Sequence, residues 1–179
     1  MTARLTVPVG ARDHISGAPN APLVLLEYGD FECPFCAEAH QVVQEIQQLL
    51  GPNLCFVFRH FPLATVHPHA QHAAEAAEAA GAQGAFWPMH DILFENNRAL
   101  DDLDLLIYAD SLSLDMEQFS SELSNHIHAS RVREDFMGGV RSGVNGTPTF
   151  FINGERYDGS FDPVSMLAAL ETAGVESRR

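Results

Sequence analysis

Two short apolar runs separated by a single helical stripe constrain this chain more than any other feature. Leu23 to Tyr28 follows the turn residues Asn20-Ala21-Pro22, and its length suits a strand buried on both faces. Leu54 to Phe58 reads as a second strand of the same kind. Between them Val42, Val43, Ile46, Leu49 and Leu50 fall on one stripe of a helix that opens at Pro34, a favoured first helical position, and stops at Gly51-Pro52. A strand, a helix and a strand in that order pair in parallel through a right-handed crossover, with the helix packed on the sheet. The fold class that follows is α/β.

From about Thr65 to Ser142 the pattern turns helical: the alanine-rich segment His69 to Ala82, then Trp87 to Phe94, Leu103 to Ala109 and Glu117 to Leu123. This block, 65–142, reads as a helical subdomain inserted into a domain formed by 1–64 and 143–179. Thr149 to Ile152, the turn pair Asn153-Gly154 and Glu155 to Tyr157 then predict a hairpin. A last helix is expected from Pro163, burying Met166, Leu167 and Leu170 and ending at Gly174.

A chain of 179 residues buries roughly 70% of the surface of its unfolded form, so neither a metal nor a disulfide staple is required for folding. The 24 acidic side chains outnumber the 10 basic ones, all arginine, and the formal charge of -14 repels phosphate backbones and anionic lipid heads. Nucleic acid and membrane surfaces are therefore not expected as partners. No run is long enough to span a bilayer, and Met1 to Asn20 lacks a cationic stretch followed by an apolar core, so the chain as written reads as cytoplasmic.

The predicted strand-to-helix corner carries Cys33-Pro34-Phe35-Cys36. Disulfide exchange needs one thiolate to attack and a second thiol to resolve the mixed disulfide. With Pro34 in the first helical position, Cys33 sits at the helix N-terminus, where unpaired amides and the dipole lower a thiol pKa, and reads as the exposed nucleophile. Cys36, inside the first turn and more shielded, suits the resolving role. The apolar Pro34-Phe35 pair adds no charge, so thiolate stabilisation is expected to rest mainly on the helix end. The competing reading is half of a zinc site, but no second Cys-x-x-Cys exists and Cys55 stands alone in a predicted strand as a small buried hydrophobe.

Gly146-Thr147-Pro148-Thr149 precedes an apolar strand, where proline is normally disfavoured. Either a trans proline opens an edge strand there, or a cis Thr147-Pro148 bond faces the cysteines and leaves backbone groups free for an extended substrate.

Three stretches in this order make the chain similar to the DsbA family of thioredoxin-like proteins: Leu25 to Cys36, Phe86-Trp87-Pro88-Met89-His90, and Val144 to Ile152. The resemblance spans nearly the whole length and implies a thioredoxin-like fold with an inserted helical subdomain. It implies that Pro148 is cis, that Thr147 contacts bound substrate, and that Glu27 is a buried acid shuttling protons for Cys36. A buried carboxyl has a raised pKa, which suits proton transfer near neutrality. Phe35 stands where DsbA has histidine, and no signal peptide is read in the chain as written, so a strongly oxidising periplasmic role is not expected.

The expected activity is therefore thiol-disulfide exchange with protein or small-thiol substrates. Cys33, Cys36 and Glu27 are its catalytic candidates, and Thr147, Pro148, Pro34 and Phe35 its substrate contacts. No metal is expected, and no cofactor beyond the redox-active disulfide, with glutathione as a candidate co-substrate and a redox recycling partner left unidentified. Two alternatives share the fold: a glutathione-using transferase or isomerase in which the cysteines are dispensable, and a non-catalytic peptide-binding module. His67, His69 and His72 invite a metal reading, but only two of them can share a helical face. His40, one turn beyond Cys36, reads as solvent-facing, and Trp87 and Phe94 as packing residues.

Overall fold

The computed structural model describes residues 3–176. Its centre is a five-stranded sheet in the order β1-β3-β2-β4-β5. Strand β1 is His14–Gly17, β2 Leu23–Gly29, β3 Leu54–His60, β4 Thr149–Ile152 and β5 Glu155–Tyr157. Helix α1, Pro34–Leu50, connects β2 to β3, which pair in parallel as the apolar runs require. The remaining pairs are antiparallel.

Alternation along β2 and β3 divides the interior. Leu25, Phe56 and Phe58 face Phe31, Ile46, Phe86 and Phe94 in one apolar cluster, whereas Leu26, Tyr28, Cys55, Val57 and Phe151 form a second. Cys55 is buried, as expected. The thioredoxin-like α/β architecture thus follows from two strands that are apolar on both faces.

Five helices lie between β3 and β4: α2 Ala70–Ala82, α3 Phe86–Glu95, α4 Asp102–Ser111, α5 Met116–Ser124 and α6 Ala129–Arg141. Ala73, Ala76, Ala77 and Ala80 of α2 are buried, and their small size lets the neighbouring helices approach closely. Asp101 and Asp104 form a capping box that starts α4. Trp87 and Phe94 pack as expected: the indole Nε1 donates to the Ile15 carbonyl at 3.0 Å, and the Phe94 ring lies tilted against Phe31 with centroids 4.8 Å apart.

The hairpin turn forms at Asn153 and Gly154, whose φ values of 49° and 84° are those of the two-residue turn the dipeptide favours. Two elements and one boundary differ from expectation. Strand β1 escaped sequence reading because four residues, two of them polar, give no periodicity. Helix α6 mixes six polar or charged residues with two glycines among its thirteen positions, so the sequence shows it only as part of a broadly helical block. The last helix, α7, runs Pro163–Glu176, so Gly174 lies within it and does not end it. A Cβ there would stand 3.2 Å from Leu23 Cδ2, so this glycine serves close packing of α7 on β2.

Arg59 of β3 anchors the segment before β1. Its guanidinium pairs with both oxygens of Asp13 at 2.7 and 2.9 Å and donates to Val7 O, Pro8 O and Tyr28 Oη, so all five N–H groups are satisfied.

Candidate active site

Strand β2 ends at Gly29, and the chain turns through Asp30 to Glu32 into α1. Gly29 is required there because a Cβ would lie 2.5 Å from the Phe58 ring and 3.0 Å from Glu27 Oε1. The buried Asp30 carboxylate accepts from the Glu32 amide at 2.8 Å, the Leu63 amide at 2.9 Å and His67 Nδ1 at 2.7 Å. The Asp30 carbonyl accepts from the Cys33 amide at 3.1 Å. Cys33 is thereby held at the N-cap of α1, with Pro34 in the first turn.

Cys33, Cys36 and Cys55 are unlinked thiols. Cys33 is not the exposed nucleophile that its place at a helix end predicts, since only 4% of the residue is accessible. The loop before β4 covers it, and its Sγ donates to the Thr147 carbonyl at 3.5 Å. The exposed group at the corner is instead Phe35, at 58%, with Pro34 beside it. Cys36 is fully buried.

This arrangement separates the two thiols electrically. The Cys33 pKa falls to about 6, chiefly because the Cys36 thiol hydrogen-bonds to it; burial opposes this, while Thr147 and the Cys36 and Phe35 amides assist. The largest stabilising partner is thus Cys36, with the helix-end amides, which the sequence suggested as the main source, contributing less. The Thr147 hydroxyl is buried without a partner while Cys33 is a thiol, which leaves it available to the thiolate. Burial, the bond given to Cys33 and the charges of Glu27 and Cys33 push Cys36 well above its ordinary range.

Glu27 lies on β2 between Phe58 of β3 and Phe150 of β4 and is 1% exposed. Burial, then the Cys33 charge, raises its carboxyl to about 8, and Oε1 has no hydrogen-bond partner. The Thr147-Pro148 bond is cis. Glu27, Cys33, Cys36, Thr147, Pro148 and Phe35, spread over more than a hundred residues of sequence, meet at one corner of the sheet.

The histidines are placed differently from expectation. His40 is 5% exposed, packed between His90 and Phe94 on the inner face of α1, and does not face solvent. Burial lowers its pKa. His67, His69 and His72 each bind a different carboxylate, those of Asp30, Glu32 and Asp102. Among the described residues, two other groups each bring three potential metal ligands within 4.8 Å: His14, His60 and Glu78, and His40, His90 and Asp91. Neither set is spaced for recognition in sequence, because long-range pairing assembles them. A cavity of about 730 Å³ lies against the other face of the sheet, between the segment before β1 and α6, lined by Arg12, Arg59 and Arg131, and does not open onto the cysteines.

The sequence pattern of the thioredoxin family matches residues 11–172 of this chain. The chain belongs to the thioredoxin family. Its fold is that of DsbA-type members. BdbD from Bacillus subtilis superposes with a TM-score of 0.81 at 22% identity, covering 98% of this chain and 100% of that one. A thioredoxin-like oxidoreductase from Silicibacter pomeroyi gives 0.81 at 24% identity, with 92% and 93% covered. Wolbachia pipientis alpha-DsbA1 gives 0.80 at 19% identity, with 97% and 96% covered. At these identities the likeness establishes the fold.

Nearer relatives in sequence carry another name. A protein named Na(+)/H(+) antiporter NhaA 1 from Salinispora arenicola is 48% identical over 175 residues, which is 97% of this chain and 27% of that protein. One named Na(+)/H(+) antiporter NhaA from Herminiimonas arsenicoxydans is 42% identical over 161 residues, 90% of this chain and 25% of that protein. This thioredoxin-family chain spans about a quarter of the length of the curated relatives it matches.

Proposed function

We propose that this protein exchanges disulfides with protein or small-thiol substrates through Cys33 and Cys36. The observation that carries the reading is the placement of two unlinked thiols, Cys33 and Cys36, at the start of α1, with Cys33 Sγ against the loop that holds the cis Thr147-Pro148 bond. Cys33, near 6, is largely thiolate at neutral pH, whereas Cys36 stays protonated behind it.

The Cys33 thiolate attacks one sulfur of a substrate disulfide. The bond between the substrate sulfurs breaks, a Cys33-substrate disulfide forms, and the departing sulfur keeps the electron pair and takes a proton from solvent. Glu27, in its ionised form, then takes the Cys36 proton, and the Cys36 sulfur attacks the Cys33 sulfur. The second substrate thiolate leaves, the substrate has gained two electrons, and the Cys33-Cys36 pair has lost them. Run backwards, the same steps deliver a disulfide to a dithiol. A carboxyl near 8 is matched to this proton transfer close to neutrality.

Thr147, Pro148, Pro34 and Phe35 form the rim on which we place the substrate chain, with the apolar Phe35 ring as its exposed contact. Residues 65–142 act as the inserted helical subdomain that covers the cysteine face, and glutathione serves as a co-substrate.

In an insulin-reduction or glutathione-exchange assay, Cys33→Ser abolishes turnover and Cys36→Ser accumulates a mixed disulfide at Cys33. Activity surviving in the Cys33→Ser, Cys36→Ser double variant would instead identify a glutathione-using transferase on this fold.

A further inference from the structure

The Cys33-Pro34-Phe35-Cys36 motif itself carries no cation to stabilise a thiolate. The chain has no lysine, and the residue between Pro34 and Cys36 is the uncharged Phe35. Asp30 and Glu32 precede the nucleophile, and carboxylates there oppose a negative charge on Cys33.

The segment after β3 supplies the counterweight. The Phe61 amide donates to the Gly29 carbonyl at 2.8 Å, and the Leu63 amide to Asp30 at 2.9 Å. His67 Nδ1 then meets Asp30 Oδ2 at 2.7 Å, and the His69 amide and Nδ1 meet Glu32 at 2.7 and 2.9 Å. Two carboxylates flanking the cysteine turn are thus each matched by a histidine, and the segment from Phe61 to His69 is fixed against that turn. The Asp30 carboxylate is fully buried, whereas the His67 side chain retains 21% exposure.

We propose that His67, oriented by Asp30, is the positioning cation that stabilises the Cys33 thiolate in place of a charged residue within the cysteine motif. This inference rests on Cys33 being the attacking thiol. The charged groups facing His67 are Asp30, Cys33 and Glu32. Burial works against the imidazolium, but the Asp30 hydrogen bond and charge, then the Cys33 thiolate, then Glu32, outweigh it and raise the His67 pKa. The thiolate perturbs Glu27, Cys36 and His67, and His67 is the base among the three. By reciprocity a protonated His67 lowers the Cys33 pKa, less strongly than the Cys36 thiol, Thr147 or the Cys36 and Phe35 amides do. A lower thiolate free energy favours the reduced pair, so protonating His67 makes the protein a stronger oxidant.

The test is the rate of Cys33 alkylation by iodoacetamide against pH in the full chain, read by mass. It separates this inference from the exchange reading, because alkylation requires a thiolate but no disulfide substrate. His67→Gln, which keeps a polar side chain and removes the charge, is expected to slow alkylation about threefold at pH 5, and His67→Lys to restore it. His72→Gln, which removes a histidine paired with Asp102, is expected to leave the profile unchanged. Equal profiles for His67→Gln and the parent chain, or equal slowing in the Gln and Lys variants, would overturn the assignment. Normal alkylation behaviour in a chain that fails to exchange disulfides would sink the exchange reading and leave this one standing.

Discussion

The Glu27 carboxyl lies close enough to the fully buried Cys36 thiol to add its charge to burial in raising that thiol's pKa. The acid, itself near 8, can receive the proton that Cys36 must lose. Replacing Glu27 with Gln should therefore cut resolution of the mixed disulfide by roughly 100-fold and remove the ionisation near pH 8 from the rate profile. Stopped-flow measurement of mixed-disulfide decay against pH reads both. An unchanged profile would remove Glu27 from the mechanism.

The same residue destabilises the fold. Its folded pKa of about 8 exceeds the ordinary value of 4.5, so between those values the unfolded chain has lost a proton that the native chain retains. Stability from this group then declines as pH rises from 4.5 to 8, by about 1.4 kcal/mol per pH unit. Glu27→Gln should equal the parent protein in urea unfolding at pH 4 and exceed it by several kcal/mol at pH 8.

Much of this architecture was legible in the sequence, for identifiable reasons. β2 and β3 are apolar on both faces, α1 has proline at its start and glycine at its end, and Asn153-Gly154 admits few turns. Those signals are local. β1 could not be read because its place depends on β3 beside it. His40 was misplaced because α3, which covers it, is distant in sequence, and one-turn spacing from Cys36 says nothing about which face is covered. The accessibility of Cys33 failed similarly, since the loop at Thr147 decides it.

Arg59 and Asp13 form a mutually satisfied pair at 4% and 7% side-chain exposure. Arg59→Ala removes five donors and leaves the Asp13 carboxylate with little solvent, so it should cost about 3–5 kcal/mol in urea unfolding. The redox chemistry should persist in the remaining folded protein, because this pair faces away from the cysteines.

Gly29→Ala should also destabilise, since its Cβ would enter the Phe58 ring at 2.5 Å beside Glu27. A loss of about 1–3 kcal/mol is expected, with a change in the Glu27 titration as the ring is displaced. Thermal unfolding and the pH profile of mixed-disulfide decay, measured together, check both effects.

The central claim is that Cys33 and Cys36 form a reversible two-electron couple. Its most direct test is equilibration of the full chain in glutathione buffers of graded ratio, followed by acid quenching, alkylation and mass analysis. The account predicts one two-electron transition confined to Cys33 and Cys36, with Cys55 remaining a thiol throughout. A midpoint above roughly -180 mV would mark a disulfide donor or isomerase, and one below roughly -230 mV a reductase. A pair that never interconverts with glutathione at any ratio would contradict the account and leave a binding module in its place.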